Sequence, residues 1–110
     1  MNYDITLKRG DTRTVIKAIM RDSEGTPIDL TGCEVTFRMA PYGQPATIDR
    51  PALVHDAVNG EVWVIWQSGE TDTVGGYRAE FLVTYPDKKR ETFPNGDYLN
   101  INILSNLRRE

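Results

Sequence analysis

The sequence is poor in the residues that most chemistry requires. It holds one cysteine, Cys33, and one histidine, His55. A lone cysteine excludes an intrachain disulfide and a cysteine-rich zinc site, and it suits folding in a reducing cytoplasm. No apolar run is long enough to span a bilayer. The first residues, Met-Asn-Tyr-Asp-Ile-Thr-Leu-Lys-Arg, lack the hydrophobic stretch of a secretory signal. Release by lysis, or assembly into a larger particle, stays open. A net charge of −3 offers no broad attraction to nucleic acid or to an anionic membrane. Helical periodicity is weak throughout, and neither repeats nor low-complexity linkers stand out.

What is present is a succession of short strand-like runs between turn signals. A chain of 110 residues is long enough for one domain, 1–110, with a core that needs no staples. Tyr3–Leu7 and Arg13–Arg21 are the first two candidate strands. The second admits two phases, Ile16, Ala18 and Met20 inward or Val15 and Ile19 inward, and a slip of one residue exchanges its faces. Asp22–Pro27 is a turn, and Ile28 and Leu30 are apolar plugs before Thr31-Gly32. Val35, Phe37 and Met39 alternate with Glu34, Thr36 and Arg38. Ala40–Pro51, with three prolines and Gly43, reads as a loop, with a short edge strand near Leu53 and Val54. Asn59-Gly60 is a hairpin signal between Leu53–Asp56 and Glu61–Trp66. Then come Tyr77–Tyr85, Arg90–Phe93 and Tyr98–Leu104. Strands spaced by roughly 8–15 residues have the rhythm of an all-β sandwich or barrel.

The expected core holds Ile16, Ala18, Met20, Leu30, Val35, Phe37, Val62, Val64, Trp66, Phe81, Val83, Leu99, Ile101 and Ile103. It spans about residues 3–104, with a short tail from Ser105 to Glu110. The segment Asp72-Thr-Val-Gly-Gly-Tyr77 resembles the corner that opens strand F of an immunoglobulin-like sandwich. There the tyrosine hydroxyl bonds to upstream backbone. Asp72, Gly76 and Tyr77 are thus candidate corner residues, and Ala79 stands where antibody domains carry a cysteine.

Catalytic constellations do not assemble from the sequence. His55 and Asp56 are adjacent on a strand and point to opposite faces. Asp11, Asp22, Asp29, Asp49, Asp56, Asp72, Asp87 and Asp97 are scattered, mostly in turns where the side chain bonds nearby backbone. Gly69–Gly76 leads into a strand, whereas a phosphate loop leads into a helix. Ser68-Gly69 lacks the rest of a nucleophile elbow. Lys88-Lys89-Arg90 and Arg108-Arg109 are short and flanked by acids, as solvated loops are. The expectation is no catalytic residue, no cofactor and no metal. Trp63 and Ile65 are different. Val62, Val64 and Trp66 take the inward phase, which sends Trp63 and Ile65 outward. Either the Ala40–Pro51 loop covers them, or they form a patch of the kind found at interfaces.

Several short stretches follow one another at suitable spacing. They are Leu7-Lys-Arg-Gly-Asp-Thr12, Asp22–Gly32, Val35-Thr-Phe37, Gly60-Glu-Val62, Asp72-Thr73, Gly76–Phe81 and Thr92-Phe-Pro94. In this order, from about Leu7 to Leu107, the chain resembles the N-terminal domain of phage baseplate upper proteins. The resemblance implies an immunoglobulin-like antiparallel sandwich of seven to eight strands. It implies a virion component of a tailed-phage or prophage tail or baseplate, made in the host cytoplasm and docking onto other tail or baseplate proteins. Self-association is a second option; nucleic acid and membrane are not expected partners. In that family the domain usually precedes helical and receptor-facing parts, so the chain is expected to be a stand-alone accessory protein or a fragment. The rival reading is a carbohydrate- or cell-surface-binding module using Trp63 and loop aromatics such as Tyr42.

Overall fold

The structure, a computed structural model, describes residues 3–107. Residues 108–110 of the expected tail, including Arg108 and Arg109, lie outside the described residues. Nine strands are present among the described residues: β1 (Tyr3–Lys8), β2 (Ile16–Ile19), β3 (Glu34–Pro41), β4 (Ile48–Pro51), β5 (Leu53–Asp56), β6 (Glu61–Val64), β7 (Gly75–Thr84), β8 (Arg90–Phe93) and β9 (Leu99–Leu104). They form an all-β sandwich. The larger sheet runs β1-β9-β7-β3-β4 with β8 also on β7; the smaller runs β2-β6-β5.

Strand β7 is the spine. Eight residue pairs, from Glu34↔Thr84 to Pro41↔Tyr77, join it to β3 on one edge. Its other edge is shared: Gly75–Ala79 pair with β9, and Phe81–Thr84 pair with β8. All pairings are antiparallel except β1 with β9, which is parallel from Tyr3↔Leu99 to Lys8↔Leu104. A parallel pair needs a long connection; here the whole chain supplies it.

The alternation of apolar residues decides which face of each strand is buried. Along β7, Tyr77, Ala79, Phe81 and Val83 are buried while Arg78, Glu80, Leu82 and Thr84 are half-buried on the outside. Ile16 and Met20 are buried, Ala18 packs against the core, and Ile19 is exposed, which fixes the phase of β2. Aromatic contacts build the core: Phe37 of β3 lies 5.5 Å from its cross-strand partner Phe81 of β7 within the larger sheet, and Trp66, just beyond β6, meets Phe37 edge-on at 6.1 Å. Such edge-on geometry sets the positive ring edge against a negative ring face.

The segment Ala40–Pro51 is not a loop. Strand β3 continues to Pro41, and Ile48–Pro51 forms β4, pairing with β3 from Thr36↔Pro51 to Met39↔Ile48. The prolines fall where strands tolerate them: Pro41 ends β3, Pro51 ends an edge strand and Pro45 lies in the turn between. This segment adds a strand to the count read from sequence. Ile48, buried on β4, belongs to the core, together with Leu7 and Phe93.

Asn59-Gly60 also acts differently from a two-residue hairpin. The turn between β5 and β6 takes residues 57–60, closed by the Gly60 N–H donating to Ala57 O at 3.1 Å. Gly60 is buried, with φ +72°. Its neighbours are the backbones of Met20 and Ile28, in the small hairpin that follows β2.

Candidate functional site

The outer face of the smaller sheet carries the residues singled out as a surface patch. Cross-strand pairing sets Lys17 of β2, Trp63 of β6 and Leu53 of β5 in one row. Trp63 is half-buried, and Ile65 is 50% exposed just beyond β6. Ile19 and Leu53 are exposed to a similar degree. The structure therefore brings Trp63 and Ile65 to one face with two further aliphatic residues.

The cover over Trp63 does not come from the proline-rich segment, which belongs to the other sheet. It comes from the neighbouring strands. The His55 imidazole stacks on the indole at 3.7 Å with a 12° interplanar angle. The Lys17 ammonium lies 4.6 Å from the ring centroid, a favourable cation–π placement. His55 Nε2 is 3.9 Å from Glu61 Oε1. His55 shares this outer face with Leu53 because the two are two residues apart on β5, while Val54 between them packs against the core. It is thus a packing residue of the sheet surface, its side chain still 44% exposed. The aliphatic rim around Trp63, more than the indole itself, is what faces solvent.

The corner residues lie at the opposite end of the smaller-sheet connection. The Tyr77 ring is buried and its hydroxyl donates to Thr73 O at 2.6 Å. Burial pushes the Tyr77 phenol up from its ordinary value. Asp72 is exposed and does not receive that hydroxyl; its N–H reaches Gly69 O at 3.4 Å. Gly76 lies under the Tyr42 ring, where a Cβ would stand 3.2 Å from two ring carbons.

Three residues near this corner escaped the sequence reading. Thr71 is fully buried, and its hydroxyl donates to Asp11 O at 3.0 Å while its own carbonyl accepts from Gly10 N–H. Arg50 of β4 and Glu70 form a bidentate pair, both contacts at 2.7 Å. Arg50 also donates to Ile65 O, and Glu70 accepts from the Gln67 N–H. The clamp ties the edge of the larger sheet to the chain leaving β6. Burial pushes the Glu70 carboxyl up, but the Arg50 and Gln67 hydrogen bonds outweigh it and hold the carboxyl below its ordinary range. A lone Arg or Glu in a loop carries no sequence mark of such a pairing.

The turn aspartates do local work. Asp22 accepts from the Glu24 and Thr26 N–H groups, Asp29 from Thr31, and Asp87 from the Lys89 N–H. Among the described residues, no group of three His, Cys, Asp or Glu side chains is placed to hold a metal ion. Tyr85 donates to Glu91 at 2.9 Å, and burial together with that carboxylate pushes its phenol up to about 12.

A sandwich whose buried groups are spent on packing and turn geometry has the character of a structural module. Residues 1–106 match the BppU N-terminal domain, and the chain belongs to that family of phage baseplate upper protein domains. No curated protein matches the chain. The family is a baseplate structural domain, and membership implies a place in the virion tail or baseplate among other tail and baseplate proteins.

Proposed function

We propose that this chain is a non-enzymatic assembly module that docks onto other virion proteins through the outer face of its smaller sheet. The observation that carries the reading is the aliphatic rim formed by Ile19, Leu53 and Ile65 around Trp63. Single exposed aliphatics are ordinary on a soluble protein. A cluster on one flat sheet face, centred on a tryptophan held rigid by His55 and Lys17, has the make-up of an interface core. The partner is another tail or baseplate protein, in keeping with the family.

The same geometry weakens the carbohydrate reading. A sugar would stack on an open indole face, and the imidazole of His55 already lies on the Trp63 ring.

Ile65→Asp tests the proposal. The side chain is 50% exposed, so the variant should keep its β circular dichroism and melting temperature. Incorporation into phage particles should fall, since truncating an interface anchor costs about 2 kcal/mol or more. A variant that folds and incorporates as well as the parent would place the docking surface elsewhere.

A further inference from the structure

The outer face of the larger sheet is laid out in cross-strand rows with unequal charge. In one row Arg38 stands between Asp49 of β4 and Glu80 of β7, and its Nε lies 3.5 Å from the Asp49 carboxylate. The next row reads Ala40, Arg78, Asn100 and, on β1, Asp4. Arg78 is therefore flanked across the sheet by two uncharged residues. Among the described residues, no hydrogen bond or ion pair engages its guanidinium, and its Nε is buried without a partner.

Aromatic rings hold this guanidinium instead. Its carbon lies 4.9 Å from the Tyr98 ring centroid and 5.6 Å from that of Tyr42. The Tyr42 ring lies over Gly76, and its hydroxyl donates to Asn100 Oδ1. Both tyrosines are substantially exposed, at 55% and 41%. A shallow groove of about 200 Å³ passes the site, lined in part by Arg38, Ala46, Glu80 and Tyr98. Rings restrain the guanidinium without consuming its N–H donors. With Nε buried, the two Nη groups remain as a planar, pre-oriented pair of donors, which fits a carboxylate bidentately.

Resting on the assembly reading above, we propose that Arg78, braced by Tyr42 and Tyr98, anchors a carboxylate side chain in an acidic segment of a neighbouring virion protein. Charge complementarity names the occupant. Both direct cross-strand neighbours of Arg38 are carboxylates, whereas both direct neighbours of Arg78 are uncharged and the acid of its row, Asp4, stands one strand beyond Asn100. Arginine and tyrosine are also the residue types that anchor interfaces.

The test is a titration of the full chain with a capped oligoglutamate peptide, followed by the arginine Nε–Hε signals in ¹H–¹⁵N spectra. The Arg78 signal should shift, the shift should weaken with added salt, and Arg78→Gln should lower the affinity by about tenfold or more. Arg78→Lys, which keeps charge but loses the fork, should recover little of it. A shift confined to the Arg90 signal, or a peptide affinity unchanged in Arg78→Gln, would overturn the site. Stronger binding of glycerol phosphate than of the peptide at Arg78 would overturn the protein carboxylate as occupant. Neither result bears on the aliphatic face, because Ile65→Asp incorporation reports that reading separately.

Discussion

Replacing Gly60 with alanine is the sharpest test of how the smaller sheet is held together. Two costs add at this position. The first is backbone strain: Gly60 sits at φ +72°, and an L-residue in the left-handed region costs about 1–2 kcal/mol. The second is contact. A Cβ would stand 2.7 Å from Ile28 O, 2.9 Å from Met20 O and 3.2 Å from Ile28 N. These are backbone atoms, so no rotamer change relieves the clash. They also belong to a bonded ladder, with Met20 N–H donating to Gly60 O and Ile28 N–H to Met20 O, each at 2.9 Å. Moving that backbone weakens at least one such bond, worth about 0.5–1.5 kcal/mol. The sum is about 1.5–3.5 kcal/mol before residual overlap is counted. Gly25→Ala is the matched control. It has φ +86° but nothing within 4 Å of its Cβ, so it carries only the strain. Urea denaturation of both variants, with m-values checked for two-state behaviour, separates the two costs. If Gly60→Ala loses no more stability than Gly25→Ala, the small hairpin does not press on Gly60 and the argument fails.

Three further outcomes follow from the same structure. Tyr77→Phe removes the 2.6 Å hydrogen bond to Thr73 O and should cost about 0.5–1.5 kcal/mol; a stabilised variant in thermal denaturation would contradict that role. Phe81→Ala opens space between Phe37 and the rest of the core and should cost about 3–5 kcal/mol, with an unchanged urea midpoint as the refuting result. Glu70→Gln breaks the Arg50 clamp and should cost about 1–3 kcal/mol at neutral pH. Because the folded carboxyl titrates below its ordinary value of 4.5, its stabilisation is complete above that pH and is lost as pH falls through the lower folded value. The gap between parent and variant should therefore close on acidification below pH 4.5, and a gap that stays constant would reject the clamp's charge.

Much of the sandwich was legible because its core strands alternate without ambiguity. Val35-Thr-Phe-Arg-Met39 and Tyr77-Arg-Ala-Glu-Phe-Leu-Val83 announce both their state and their buried phase. Strand β2 did not, since either phase of Val15–Met20 is apolar; pairing with β6, Ile16↔Val64 to Ile19↔Glu61, decided it. Strand β4 was hidden for the opposite reason. Ile48-Asp-Arg-Pro51 offers one apolar residue among polar ones and a proline, so its strand state rests on β3 beside it and not on its own propensity. Asn59-Gly60 pointed to the right hairpin through the wrong cause. The glycine answers a backbone packed against it from the Met20–Ile28 hairpin, and no local signal encodes that neighbour.

The surfaces show the same division between what one strand encodes and what pairing adds. Periodicity alone sends Trp63 and Ile65 outward. It cannot say that His55 and Lys17 lie against the indole, because that depends on strands β5 and β2 pairing on either side of β6. Arg78 is a stronger case. In sequence it sits two residues from Glu80 and looks like half of an ordinary charged face. Register gives Glu80 to the Arg38 row and sets Arg78 between Ala40 and Asn100. Each sheet thus presents a different chemistry outward: an aliphatic rim around Trp63, and a ring-braced cation at Arg78. An assembly module with two unlike faces can engage two unlike neighbours. Charge substitutions at Arg78 and Ile65 should accordingly act independently, since the faces are separated by the core and share no side chain.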